Sequence, residues 1–345
     1  MSAAPLSGLL TATVPALVGV LDSVATIDPR AADVPALAVE GPAALRPFLA
    51  SAVVAEGGRT VLAVTATDRE AEDLAAAASD LLGPDAVAVL PSWETLPHER
   101  LSPRPDTVGR RLTIFRALAG GDSPVRLVAA AARSLIQPIA PGLGTLDPVR
   151  LRVGTEYGFE ELLERLVELA YTRVEMVTER GEFAVRGGIV DLFVPTADHP
   201  VRIEFWGDEV SEIRAFAVAD QRSVEAVDEV VAPACRELLL TAPVRDRAKH
   251  LARVHENTPQ LRELLEKLAE GIPSEGMESL VPALVGDEMQ LLTDLLPAGA
   301  IVLVADPERI RTRARDLVRT GQEFLEASWL AASLGSDDAA AATAA

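Results

Sequence analysis

Between residues 34 and 137, short apolar runs alternate with stretches whose apolar residues fall at helical spacing. No other feature restricts the fold as much. Strands are predicted at Val34–Val39, Thr60–Thr65, Val87–Leu90 and Val125–Ala129, with helices near Pro42–Glu56, Asp68–Leu82 and Asp106–Ala119 between them. Strands joined by helical crossovers lie parallel, so the pattern predicts an α/β domain built on a parallel sheet. Asp106 reads as the N-cap of the third helix, and Gly120-Gly121 stops it. A chain of 345 residues exceeds one hydrophobic core, so two or three domains are expected.

After this block the chain changes character. Residues 138–148 are rich in proline and glycine and read as a connector. A helix near Glu156–Ala170 follows, with Phe159, Leu162, Leu163, Leu166 and Leu169 at helical spacing. A β-rich unit then runs to about Val231, and Pro233 marks a boundary. From Pro243 the sequence turns helical, with two helices broken at Gly271-Ile272-Pro273. A strand at Ala300–Ala305 leads into Asp306-Pro307, an N-cap followed by proline at the first helical position. The last dozen residues, LGSDDAAAATAA, read as a frayed end or linker.

An α/β chain invites a nucleotide-binding reading, which needs a glycine-rich loop ending in lysine. Lys249 and Lys267 are the only lysines and neither belongs to such a loop. The stretch where the loop should sit reads VEGPAALRPFL. Val227–Val230, VDEV, mimics a metal-holding acidic pair but reads as a solvated turn. His98, His199, His250 and His255 do not cluster, and CxxC, HExxH and G-x-S-x-G motifs are absent. No cofactor or metal is therefore expected, nor catalysis by this chain. The rival reading is an ATP-dependent, helicase-like repair protein with an unusual nucleotide site.

The formal net charge of −20 repels phosphates, and aromatic residues make up only 4% of the chain. Little autonomous nucleic-acid binding is expected, and a protein partner fits better. Arg110, Arg111 and Arg116 form a modest basic cluster that reads as a solvated helix face. One cysteine, Cys235, rules out an internal disulfide and points to a reducing, cytoplasmic setting. No apolar run approaches the roughly 18–20 residues that span a bilayer.

The most informative stretch is GEFAVRGGIVDLFVPTADHPVRIEFWGDEVSEIRAF, Gly181–Phe216. Val201, Ile203 and Phe205 point one way along a strand, and Arg202, Glu204 and Trp206 the other. IVDLF, 189–193, is the facing strand, and Arg186 precedes the flexible Gly187-Gly188. With the apolar set packed inward on the 156–170 helix, Arg186 and Arg202 lie outside and share a face with Trp206. An exposed arginine is ordinary, and a lone tryptophan can lie flat on a strand. Together on a polar strand face, arginine and tryptophan favour a binding surface, since both are enriched at interaction hot spots.

This stretch closely resembles the second domain of the bacterial transcription–repair coupling factor family, and more distantly the UvrA-binding domain of UvrB. LPSWETLPHERLSPRPDTVGRRLTIFRAL, RSLIQPIAP, EGMESLVPALV, VLVADPERIRTRARDL and EFLEASW extend the likeness over essentially the whole chain. The resemblance implies a degenerate, helicase-like parallel α/β domain, split in sequence around an inserted α+β domain. Its first part would be residues 1–150, the UvrA-binding insert 151–232, and the returning segment 233–345. UvrB carries the nucleotide loop and a DNA-engaging aromatic hairpin; here that region offers Trp93 and no tyrosine, which favours the coupling factors.

The family's second domain binds UvrA and so recruits excision repair to stalled transcription. Arg186, Arg202 and Trp206 match its contact motif, where the family often has phenylalanine at the last position. The family's contacts with RNA polymerase and its ATP-driven movement on DNA reside in regions that this chain does not match. The chain thus resembles an N-terminal fragment, and the C-terminal domain that masks the UvrA-binding face is not among its residues. The resemblance then implies an unmasked, constitutively competent module.

Overall fold

The structure is a computed structural model that describes residues 15–27, 36–96, 101–120 and 123–334. The helices are α1 (Pro15–Ala25), α2 (Arg46–Gly57), α3 (Asp68–Leu82), α4 (Pro105–Leu118), α5 (Ala132–Ile136), α6 (Phe159–Glu168), α7 (Ala242–Val254), α8 (Pro259–Ala269), α9 (Val281–Val285) and α10 (Pro307–Leu334). The strands begin with β1 (Val61–Thr65), β2 (Val87–Leu90), β3 (Leu127–Ala131), β4 (Val149–Arg152), β5 (Thr172–Arg173) and β6 (Glu182–Arg186). They continue with β7 (Ile189–Leu192), β8 (Val201–Trp206), β9 (Glu209–Phe216), β10 (Ser223–Ala226), β11 (Glu229–Ala232) and β12 (Ile301–Val304). The chain forms two compact units. One gathers the described residues of 1–92, 117–138 and 291–345, and the other those of 93–116 and 139–290.

The first unit holds a parallel four-stranded sheet in the order β12-β1-β3-β2. Every residue of β1 and β3 is buried. That is why VLAVT and LVAAA carry no polar alternation: strands covered on both faces read as continuous apolar runs. The helix α3 starts from a reciprocal cap, in which the Glu70 N–H donates to Thr67 Oγ1 at 3.3 Å and the Thr67 N–H donates to Glu70 Oε2 at 3.2 Å. Its Ala71, Leu74, Ala75 and Ala78 join Val53 and Val54 of α2 and Val61, Ala63, Leu127 and Ala129 of the sheet in one core.

The strand expected at Val34–Val39 does not form over its described residues. Residues 36–40 are irregular and exposed, and positions 34 and 35 lie outside the described residues. The apolar side chains of Leu37 and Val39 stay open to water, so a short apolar run alone did not secure a sheet neighbour. The third helix begins at Pro105, which places Asp106 inside the first turn rather than at the cap. There Asp106 pairs with Arg104 at 3.2 Å and Arg110 at 3.1 Å.

The second unit is built on a six-stranded sheet in the order β10-β9-β8-β7-β6-β5, antiparallel except for the β5–β6 pair. Two registered rows carry its buried face. Phe183, Leu192, Val201 and Ala215 lie opposite one another, as do Val185, Val190, Ile203 and Ile213. Of these eight, all but Val185 are buried. A separate antiparallel ribbon pairs β4 with β11, burying Val149, Leu151, Val230 and Ala232. Of residues 227–230, Val227 and the exposed Asp228 form the expected turn between β10 and β11, whereas Glu229 and Val230 belong to β11. Among the described residues, no helix is long and apolar enough to cross a membrane.

Candidate protein-docking face

Residues paired across neighbouring strands point to the same side of a sheet, and residues two apart on one strand do likewise. Arg186 pairs with Ile189, and Ile189 with Glu204. Asp191 pairs with Arg202, and Arg202 with Arg214. On β8, Arg202, Glu204 and Trp206 alternate with the inward row. Register therefore brings Arg186, Arg202 and Trp206 to one face of the sheet, as the sequence pattern expects. The three differ in how free they are.

Trp206 is 82% exposed. It closes β8 opposite Glu209, across a turn that depends on Gly207 at a φ of 64°. The turn is held from below. The Asp208 carboxylate accepts the Phe159 N–H at 3.0 Å, at the first residue of α6, and the Asp208 carbonyl accepts the Tyr157 N–H at 2.8 Å. Phe205, pointing away from Trp206, meets the Phe159 ring edge-on at 5.3 Å. A bulge beside the turn leaves Ser211 unpaired in the ladder, and its hydroxyl donates to the Glu204 carbonyl at 2.9 Å. The indole thus stands on an anchored tip.

Arg202 is not a free surface cation. Its Nε and Nη2 donate to the two oxygens of Asp191, both at 2.7 Å. The arginine side chain is 26% exposed and the aspartate 5%. The guanidinium carbon also lies 5.0 Å from the centroid of the Phe216 ring. The hydrogen bonds that Arg202 donates to Asp191 push its pKa above the ordinary guanidinium range. Arg186 is exposed and donates once, to the Glu175 carbonyl at 3.2 Å.

The rest of the face grades from covered to open. At one end Ala184 and Phe193 pack with Val177 in a small apolar cluster, beside the buried Asp191. At the other, Arg214 is chelated by Glu212, while the Glu204 carboxylate makes no direct hydrogen bond or ion pair among the described residues. Asp191 is the residue that sequence reasoning missed. The available signal was an acidic residue inside the apolar run IVDLF, since a buried carboxylate needs a cation beside it.

The arginine cluster on α4 does not form a basic face. Arg110 pairs with Asp106 at 3.1 Å and Arg116 with Asp147 at 2.5 Å. Arg111 is fully buried against Glu237. Among the described residues, no group of three or more histidine, cysteine, aspartate or glutamate side chains is arranged to hold a metal ion.

Residues 149–237, which include this whole face, match the UvrB interaction domain family. The chain is 56% identical over 311 residues to the transcription-repair-coupling factor of Mycobacterium tuberculosis (strain CDC 1551 / Oshkosh), covering 87% of this chain and 25% of that protein. The transcription-repair-coupling factor of Myxococcus xanthus is 36% identical over 267 residues, 72% of this chain and 22% of that protein. That of Bacillus subtilis (strain 168) is 26% identical over 299 residues, 81% of this chain and 25% of that protein. The chain spans about a quarter of the length of these relatives.

Proposed function

Since the chain belongs to the transcription-repair-coupling factor family, we propose that it is the adaptor part of such a factor, docking UvrA through Arg186, Arg202 and Trp206. The observation that carries this reading is the convergence of those three side chains on one sheet face, around an indole 82% exposed. An exposed tryptophan on an anchored turn offers a large rigid contact at little entropic cost. Two guanidinium groups beside it supply directional, charge-assisted bonds to partner carboxylates or carbonyls. Contact with RNA polymerase and movement along DNA are assigned to parts of the family's proteins other than residues 1–345.

In this reading the parallel unit is a degenerate helicase-like domain, split in sequence around the UvrA-binding insert. The pairing of β12 with β1 supports it, because residues 301–304 complete a sheet begun at residue 61. The two lysines support a non-catalytic role. Lys249 lies on α7 and Lys267 on α8, where Lys267 pairs with Glu263 at 2.8 Å, and neither belongs to the unit that holds the parallel sheet.

Calorimetric titration of purified UvrA into this chain tests the adaptor reading. Saturable binding that disappears in the Arg186→Ala, Arg202→Ala, Trp206→Ala triple variant is the expected result. Undiminished binding by the triple variant rejects the face. Titration of ATP tests the non-catalytic part, for which no saturable binding or hydrolysis is expected.

A further inference from the structure

Among the arginines of the docking face, Arg202 alone is held by a carboxylate that is itself buried. Among the described residues, Arg186 meets only a backbone carbonyl, and Arg214 meets the part-exposed Glu212 on its own strand. A guanidinium carries five N–H donors in a rigid plane. Asp191 takes the side-on pair, Nε and Nη2, with both distances at 2.7 Å. The Phe216 ring lies against the group, 5.0 Å from its central carbon. Among the described residues nothing takes the remaining donors, both on Nη1 and one on Nη2, which leaves them for whatever meets the sheet.

We propose that Asp191 is a positioning residue for partner recognition: it fixes the Arg202 guanidinium so that the unused Nη1–Nη2 edge faces the docking partner. The inference rests on the reading that Arg202 contacts UvrA, and adds a residue that need not touch UvrA at all. Asp191 acts by sparing the arginine its loss of rotamer freedom at the moment of binding, a loss that otherwise weakens association. It also neutralises the cation in advance. Contact through Arg202 is then governed by the geometry of its free edge rather than by net positive charge.

This arrangement gives Asp191→Asn a definite sign. The change adds one positive charge to the face, so recognition by charge alone would bind an acidic partner more tightly. Positioning predicts weaker binding, by about three- to tenfold, the range associated with one mobile long side chain. The test is a double-mutant cycle on the full chain, with UvrA affinity measured by calorimetry and folding followed by thermal melting. Asp191→Asn should weaken binding in the wild-type background and have no further effect in the Arg202→Ala background.

Arg202→Lys is the companion variant, and it leaves the buried aspartate intact. A lysine ammonium has no second edge and is drawn to Asp191, so Arg202→Lys should bind as poorly as Arg202→Ala. Unchanged or tighter binding by Asp191→Asn overturns the proposal, as does an equal loss in the Arg202→Ala background. If Asp191→Asn does not fold, wild-type affinity in Arg202→Lys overturns it instead. An Arg202→Ala variant that binds UvrA normally removes the underlying reading and this inference together. A weakened Arg202→Ala beside an unaffected Asp191→Asn removes this inference alone.

Discussion

Two arginine–carboxylate pairs in the second unit use the same chemistry in opposite settings. Arg111 gives Nε and Nη2 to Glu237, at 2.5 Å and 3.4 Å, and its guanidinium lies 5.1 Å from the Phe115 ring and 5.7 Å from that of Trp93. Arg202 gives the same two nitrogens to Asp191 beside Phe216. The difference lies in what covers them. The Arg111 pair is sealed, with side chains 0% and 2% exposed, and Trp93 Nε1 adds a 2.8 Å bond to Glu237. In the other pair the aspartate is buried and the arginine reaches water. One carboxylate completes an internal network; the other holds a donor at the surface. A fork and its counter-ion become a recognition device only where one edge is left open.

The largest expected effect breaks the sealed pair. Arg111→Ala or Glu237→Ala strands a charge in the interior and should destabilise the fold by about 3–5 kcal/mol in urea unfolding. Binding to UvrA by the protein that remains folded should be unchanged. The comparison collapses if Arg202→Ala destabilises the fold as much as Arg111→Ala, since both pairs would then serve as internal struts.

Next comes Trp206→Ala, which should weaken UvrA binding by about 2 kcal/mol or more, as for a central aromatic anchor. Stability should stay within about 0.5 kcal/mol, because the exposed indole contributes little to the fold. Indole emission should shift to shorter wavelength in the complex as Trp206 leaves water. A variant that binds normally would show that the anchored tip is ornamental and that recognition lies elsewhere on the sheet.

The contrast between the pairs also marks what the sequence could reveal. Alternation along Val201–Trp206 gave the parity of β8 correctly, because a period of two leaves only two faces to choose between. Parity says which side a residue points to, but not who stands next to it. The Asp191–Arg202 bond depends on the register of β7 against β8, which the length of the 193–200 turn sets. The sequence groups Arg111 with Arg110 and Arg116 as a wet helix face. Adjacent helical residues diverge by about 100°, so the two cannot share a face closely. Its partner Glu237 lies 126 positions away, beyond any local pattern. At Val34–Val39 the error runs the other way: a short apolar run predicts a strand, and its described residues pair with no neighbouring strand.

Arg186 sharpens the comparison from its weakest side, as a donor with no carboxylate behind it among the described residues. Among the described residues its side chain makes one hydrogen bond, to the Glu175 carbonyl at 3.2 Å, and is otherwise exposed. Binding must therefore order it, and the entropy lost offsets much of what its contacts return. Arg186→Ala should weaken UvrA binding by about 1 kcal/mol, less than Arg202→Ala, with no change in stability. Because its cation is not neutralised by a paired carboxylate, Arg186 should carry the larger share of any salt dependence. The salt slope of UvrA affinity should accordingly flatten in Arg186→Ala and change little in Arg202→Ala. The reverse pattern would mean that the open arginine is the passive one, and that Asp191 leaves the charge of Arg202 available to the partner.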